Sequence, residues 1–147
     1  MWGQLLAALL LSISNVSVHA IGSYLNFLAT VHAFRRHRTP TLARAWGIML
    51  RMLAVMLVLH AIEIAIWAQF YVWQHCFANA ETAYYFSLVT YTTLGYGDVL
   101  LPAAWRITGA WEAVIGVLMF GWSTASLVAF IHHVYVIKMK EYYLPGE

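Results

Sequence analysis

The chain has 147 residues, 63% of them hydrophobic and only 10% charged, well below the charged share of about 25% in soluble domains. Such a composition excludes a soluble enzyme or a nucleic-acid-binding domain and makes the lipid bilayer the expected solvent and partner. A single cysteine, Cys76, excludes an internal disulfide, and a formal net charge of +2 becomes informative only once the charges are placed along the chain.

Three apolar stretches, 1–34, 41–73 and 103–137, each exceed the ~20 residues that a helix needs to cross a bilayer. The surplus implies tilt or protruding ends. On the first stretch Ser12, Asn15, His19, Ser23 and Asn26 recur at spacings of three and four, which places them on one helix face. A polar stripe in lipid must face protein, so it is expected to pack against the second span, with Asn15 or His19 hydrogen-bonded to His60 or Glu63. Val18-His19-Ala20 also has the small-residue pattern of a signal-peptide cleavage site. Against that reading, no positive charge precedes it and the apolar run continues to Phe34.

In the second stretch Glu63 is an ionisable group at membrane depth, a position that is costly and therefore informative. His60 and Glu63, three residues apart, have the spacing of a metal-ligand pair. A carboxylate-bridged centre in a helical bundle uses several Glu-x-x-His units, however, and here there is one pair in reverse order. No nucleophile–base pair, phosphate loop or cysteine cluster appears elsewhere, so enzyme readings rank last. Ordinary interhelical polar contacts, of about 0.6 kcal/mol each, are the favoured role for Asn15, His19, His60 and Glu63.

Basic residues set the orientation. Arg35, Arg36, Arg38 and Arg44 lie between the first and second spans, and Lys138 and Lys140 follow the third, whereas Arg106 falls at the opposite side. The positive-inside rule then places the N-terminus outside and the C-terminus in the cytoplasm. Trp2, Trp67, Trp73 and Trp105 fall near outer ends and Trp46 near an inner one, as interfacial aromatics should. Short loops and the lack of a targeting address fit a prokaryotic inner membrane.

Residues 81–92 are too few to span at about 1.5 Å per residue, so they read as a half-crossing helix. Asn79 is its expected N-cap and Glu81 lies in its first turn, which leaves the negative end of the helix pointing into the membrane. Directly after it comes Thr92-Thr93-Leu94-Gly95-Tyr96-Gly97-Asp98. Backbone carbonyls of successive residues face one side only if the chain alternates between right- and left-handed dihedrals, and glycine enters the left-handed region without a Cβ penalty. Gly95 and Gly97 stand at alternate positions, as that requires. A plain tight turn is the competing reading.

The segment resembles the selectivity filter of the potassium-channel family, whose usual form is Thr-Val-Gly-Tyr-Gly, here with Leu94 in the valine place and Asp98 following. The resemblance implies that the carbonyls of Thr93, Leu94, Gly95 and Tyr96 hold potassium ions, with the Thr93 hydroxyl closing the inner end. Potassium would be the permeant ion and no cofactor is implied. Tyr96 would point away from the ions and brace the filter on the pore helix, while Thr92, Asp98 and Glu112 would support it. Such a filter is lined by four strands, and one filter sequence per chain implies a homotetramer.

In the third stretch, Gly116-Val117-Leu118-Met119-Phe120-Gly121 resembles the inner-helix segment of two-helix potassium channels, which implies a gating hinge at Gly116. Close helix packing is the alternative use of both Gly116 and Gly121. Helical spacing from this point places Phe120, Thr124, Val128 and His132 on one stripe that would line the cavity and inner mouth. His132 and His133 suggest pH gating, with interfacial histidines at a helix end as the favoured alternative. Glu112 either supports the pore helix from behind, through Ser87, Thr90 or Tyr91, or is protonated and inert.

Arg44 and Arg51 stand seven apart, so the arginine period of a voltage sensor is missing. About ten residues follow Ile137, too few for a cytoplasmic ligand domain. The expected architecture is an all-α integral membrane protein: an extra N-terminal helix at 1–34, then a pore domain at 41–137 containing an outer helix, a pore helix, a filter at 93–97 and an inner helix at 103–137. The family likeness runs from Glu81 to His133, and the first span has no counterpart in the simplest members. A weakly selective cation channel and a non-conducting regulatory pore subunit are the alternatives.

Overall fold

The computed structural model describes residues 2–36 and 41–143, and Arg38, counted above among the basic residues, lies outside them. Helix α1 covers Trp2–Arg36, α2 Leu42–Trp73, α3 Ala80–Tyr91 and α4 Arg106–Tyr143, the last entered through a 3-10 turn at Ala103–Trp105. Among the described residues there is no strand. Helices α1, α2 and α4 are long and apolar enough to cross a membrane, and with the short α3 they form the expected all-helical membrane fold.

Caps explain where two helices begin. Thr41 accepts the Arg44 N–H at the start of α2, and the Asn79 side chain accepts the Thr82 N–H at 2.8 Å at the start of α3. Helix α4 continues past Ile137, and an exposed Lys138–Glu141 pair at 2.7 Å supports that final turn.

The extra helix is fixed along its length to its own chain. It packs on both α2 and α4, and these two also pack against α3, so they form a shared wall between α1 and the re-entrant segment. Near its start, the backbone carbonyl of Gln4 accepts from Thr108 Oγ1 and its side-chain oxygen from the Ile107 N–H, both at 3.3 Å. Midway, Gly22 lets α1 approach α2 so closely that a Cβ there would fall 2.3 Å from a Leu59 methyl. Toward the other end Arg51 donates to Thr30 Oγ1 at 2.6 Å, and the Phe34 ring meets Phe130 and His133. Of the polar stripe, His19 meets Ser123 of α4 as well as Glu63 of the expected α2.

Two apolar clusters hold the assembly. One, around Trp67, Tyr71, Phe86, Tyr91, Ile115 and Met119, joins α2, α3 and α4; the other centres on Met52, Met56 and Phe130. Between the second half of α1 and its neighbours lies a cavity of about 840 Å³, lined by residues that include Asn26, Phe34, Met56 and Phe130. Outward-facing leucines and isoleucines along α1, such as Leu6, Leu9, Leu10 and Ile13, are exposed, as suits a helix whose solvent is lipid.

Candidate functional site

The chain reverses immediately after α3. The Thr93 N–H bonds the Thr90 carbonyl at 2.9 Å and the Gly95 N–H reaches back to the Val89 carbonyl at 3.0 Å, folding the loop over the end of the helix. Along that loop φ is +60° at Thr93, +52° at Gly95 and +78° at Gly97, so every second residue is left-handed. Glycine meets this requirement freely at two positions. At Thr93 it does not, because a β-branched residue at positive φ is a true outlier, of order 1–3 kcal/mol, that persists only where its surroundings fix it. The glycine spacing, extended two residues backward, was the available signal for Thr93.

Residues Thr93 to Asp98 are all exposed in the single chain, with Leu94 at 55% and Tyr96 at 67%. The expected brace of Tyr96 on the pore helix is therefore not made within one chain. Thr92 turns its hydroxyl to the Leu88 carbonyl at 2.7 Å, tying the loop's first residue to α3. Asp98 accepts a hydrogen bond from Tyr85 at 2.7 Å, which anchors the far end of the loop to the first half of α3. That bond to a carboxylate raises the Tyr85 phenol above its ordinary pKa. Tyr85 was not singled out in the sequence, where nothing links it to a residue thirteen positions on.

Behind the loop, Gly116 of α4 meets the last turn of α3. A Cβ at this position would lie 2.0 Å from the Tyr91 carbonyl oxygen, so only glycine allows the two backbones to touch. Gly121 has open space around it and carries no such constraint. The Phe120 ring lies tilted against His60, with centroids 4.3 Å apart, and meets Tyr91 edge-on at 5.8 Å. It therefore turns toward α2 and α3, while Thr124, Val128 and His132 are exposed on α4. The stripe drawn from one helix's period took no account of the neighbour that captures its first member.

The buried polar residues converge on Glu63. Its Oε1 is 2.8 Å from His19 Nδ1, and its Oε2 is 3.1 Å from His60 Nδ1 and also accepts the Tyr91 hydroxyl. Both histidines meet Ser123 Oγ through Nε2, at 3.1 Å for His60 and 3.4 Å for His19. Asn15 accepts from the Trp67 indole at 3.1 Å. Of the pairings expected between the first two helices, His19 with Glu63 is the one formed, and Asn15 takes a different partner.

Glu112 is fully buried and accepts from Tyr71 at 2.8 Å. Its other oxygen and Ser87 Oγ have no hydrogen-bond partner within 3.5 Å among the described residues, so no bond of ordinary length reaches Glu112 from Ser87, Thr90 or Tyr91. Tyr71 was legible in principle, since Glu63, Trp67 and Tyr71 follow one another at spacings of four on the same face of α2.

His19, His60 and Glu63 offer ligand atoms within 4.8 Å of one another. Two ligands of a tetrahedral zinc at ~2.0–2.1 Å must stand roughly 3.3 Å apart, and the 2.8 Å between His19 Nδ1 and Glu63 Oε1 is a hydrogen-bond length instead.

Residues 46–133, from the first turns of α2 to the last part of α4, match the family model described as "Ion channel". No curated protein and no solved structure matches the chain.

Proposed function

The chain belongs to the ion channel family, whose pore-domain model spans more than half of it, and from that membership we propose that it is a potassium-selective channel conducting passively across the membrane. The observation that carries the reading is the left-handed backbone at Thr93, Gly95 and Gly97, in a loop that follows a half-crossing helix. With that alternation, the carbonyls of Thr93, Leu94, Gly95 and Tyr96 replace the hydration shell of potassium, and the negative end of α3 favours a cation nearby. Membership of a channel family favours transport over catalysis as the activity.

A single loop surrounds nothing. The exposure of Leu94 and Tyr96 supports a homotetramer in which neighbouring copies cover them and the four loops enclose the ion path. Below the filter, Thr124, Val128 and His132 line the path, and the Gly116 contact makes the end of α3 the fulcrum for movement of α4. Asp98, held by Tyr85, fixes the filter's outer end. The N-terminus lies outside and the C-terminus in the cytoplasm, as the basic residues indicate.

Purified protein reconstituted into potassium-loaded vesicles tests the reading. Potassium flux that vanishes in Gly95→Ala is expected. No flux from the wild-type chain alone would assign it to a silent subunit, and sodium flux equal to that of potassium would make it an unselective cation pore.

A further inference from the structure

Four side chains behind the filter close on themselves. Starting at Glu63 Oε1, the links run to His19 Nδ1, from His19 Nε2 to Ser123 Oγ, from Ser123 Oγ to His60 Nε2, and from His60 Nδ1 back to Glu63 Oε2. Each link requires one proton. An ionised Glu63 supplies none, two neutral imidazoles supply two, and the serine hydroxyl supplies one. Four links and three protons do not balance.

We infer that the ring of His19, Ser123, His60 and Glu63 is a buried proton-binding site that holds, as an imidazolium beside an ionised Glu63, one proton more than a carboxylate, a serine and two neutral histidines carry. With it, one imidazolium donates through both nitrogens, to Glu63 and to Ser123. The serine proton then passes to the other histidine, and every link is made. Without it, a buried imidazole nitrogen and the serine oxygen face each other as two acceptors, and a buried unpaired acceptor costs of the order of 1–3 kcal/mol.

Charge leads to the same count. The members are 0% exposed at His19 and Glu63 and 6% at His60 and Ser123. Unpaired charge in such a place is strongly disfavoured, and the added proton brings the ring to net zero. From α3 the facing group is the Tyr91 hydroxyl, which donates to Glu63. From α4, besides Ser123, the Phe120 ring covers His60 and the Trp122 ring meets His19 edge-on. The other acid on α4, Glu112, is engaged with Tyr71 of α2. Among the described residues no lysine or arginine is hydrogen-bonded to the ring, so no second cation substitutes for the proton. Three groups that can donate, His19, His60 and the Tyr91 hydroxyl, face the two carboxylate oxygens, which favours the ionised acid and an imidazole as the seat of the extra proton.

The proton also has two homes, one on each histidine. Transfer of the His19 Nε2 proton to Ser123 Oγ, with the serine proton passing to His60 Nε2, moves the imidazolium from α1 to α2 without breaking the ring or changing its composition. Helices α1, α2 and α4 are thus clasped at one point by a single proton, with α3 joined through the Tyr91 hydroxyl, two turns along α4 from the glycine that touches the pore helix. That consequence for gating rests on the channel reading; the proton count does not.

Nitrogen-15 solid-state NMR of histidine-labelled, reconstituted protein tests the count in a variant with His32, His37, His75, His132 and His133 changed to glutamine. At neutral pH three protonated ring nitrogens and one bare one are expected. Ser123→Ala should give two and two, and Ser123→Thr, which keeps the hydroxyl, should restore three and one. Two and two in the parent protein, four protonated nitrogens, or a pattern shifted by added zinc would overturn the proposal. Flux measured on parallel vesicles holding the wild-type chain separates the two readings: three and one in the variant without wild-type flux retains the ring and removes the channel, and wild-type flux with two and two does the reverse.

Discussion

The loop after α3 and the polar ring behind it are built on opposite terms. The loop holds left-handed backbone at a threonine, leaves Leu94 and Tyr96 uncovered and is tied to its own chain at three places: back to the end of α3, through Thr92 to Leu88, and through Asp98 to Tyr85. The ring draws a member from each of α1, α2 and α4, adds Tyr91 from α3, and is sealed within one chain. In the channel reading proposed above, a conducting element needs surface that only other copies complete, whereas the element that positions it is finished before assembly. Damage to the first should therefore abolish flux and spare the subunit, and damage to the second should loosen the subunit itself.

The largest effect that separates them is expected from Gly95→Ala. At φ +52° a Cβ meets the left-handed penalty of roughly 1–2 kcal/mol per residue, repeated in every copy. Potassium flux should fall to background while circular dichroism keeps its helical signal and thermal stability changes little. Next, Gly116→Ala places a methyl against the Tyr91 carbonyl, an overpacking of about 1–3 kcal/mol. Here both flux and the midpoint of thermal unfolding in detergent should drop together, because α4 must move away from α3.

Tyr91→Phe removes one donor from Glu63 and should cost about 1–3 kcal/mol, visible as a lower unfolding midpoint with flux reduced but present. The smallest effect belongs to Tyr85→Phe, at an exposed bond, read as faster decay of potassium current during sustained conduction. Since the phenol is raised above its ordinary value of 10.0 in the folded chain, its contribution is complete below that pH. It is lost as pH rises through the folded value. Wild type should therefore lose loop stability in strongly alkaline solution, and Tyr85→Phe should be insensitive to that change.

Much of the frame was legible because it depends on local pattern. Hydropathy located three spans, Asn79 and the short run after it located α3, and the alternation of Gly95 with Gly97 marked the loop. The polar stripe of α1 correctly required a protein neighbour, yet its period could not say that Ser123 of α4 would join His60 and Glu63 in meeting it. Contacts between distant residues were the harder part. Tyr71 with Glu112 and Tyr85 with Asp98 join tyrosines to acids across loops, and a phenol carries no periodic signal of its partner. Phe120 was assigned to an open stripe because a single helix's geometry cannot show that a histidine of the adjoining helix will capture its ring.

Discrimination between two monovalent cations of different size is what a carbonyl-lined path provides, and a reversal potential measures it directly. With potassium on one side of a planar bilayer containing only this chain and sodium on the other, the zero-current voltage should lie far toward the potassium equilibrium value. A reversal near zero millivolts would contradict it.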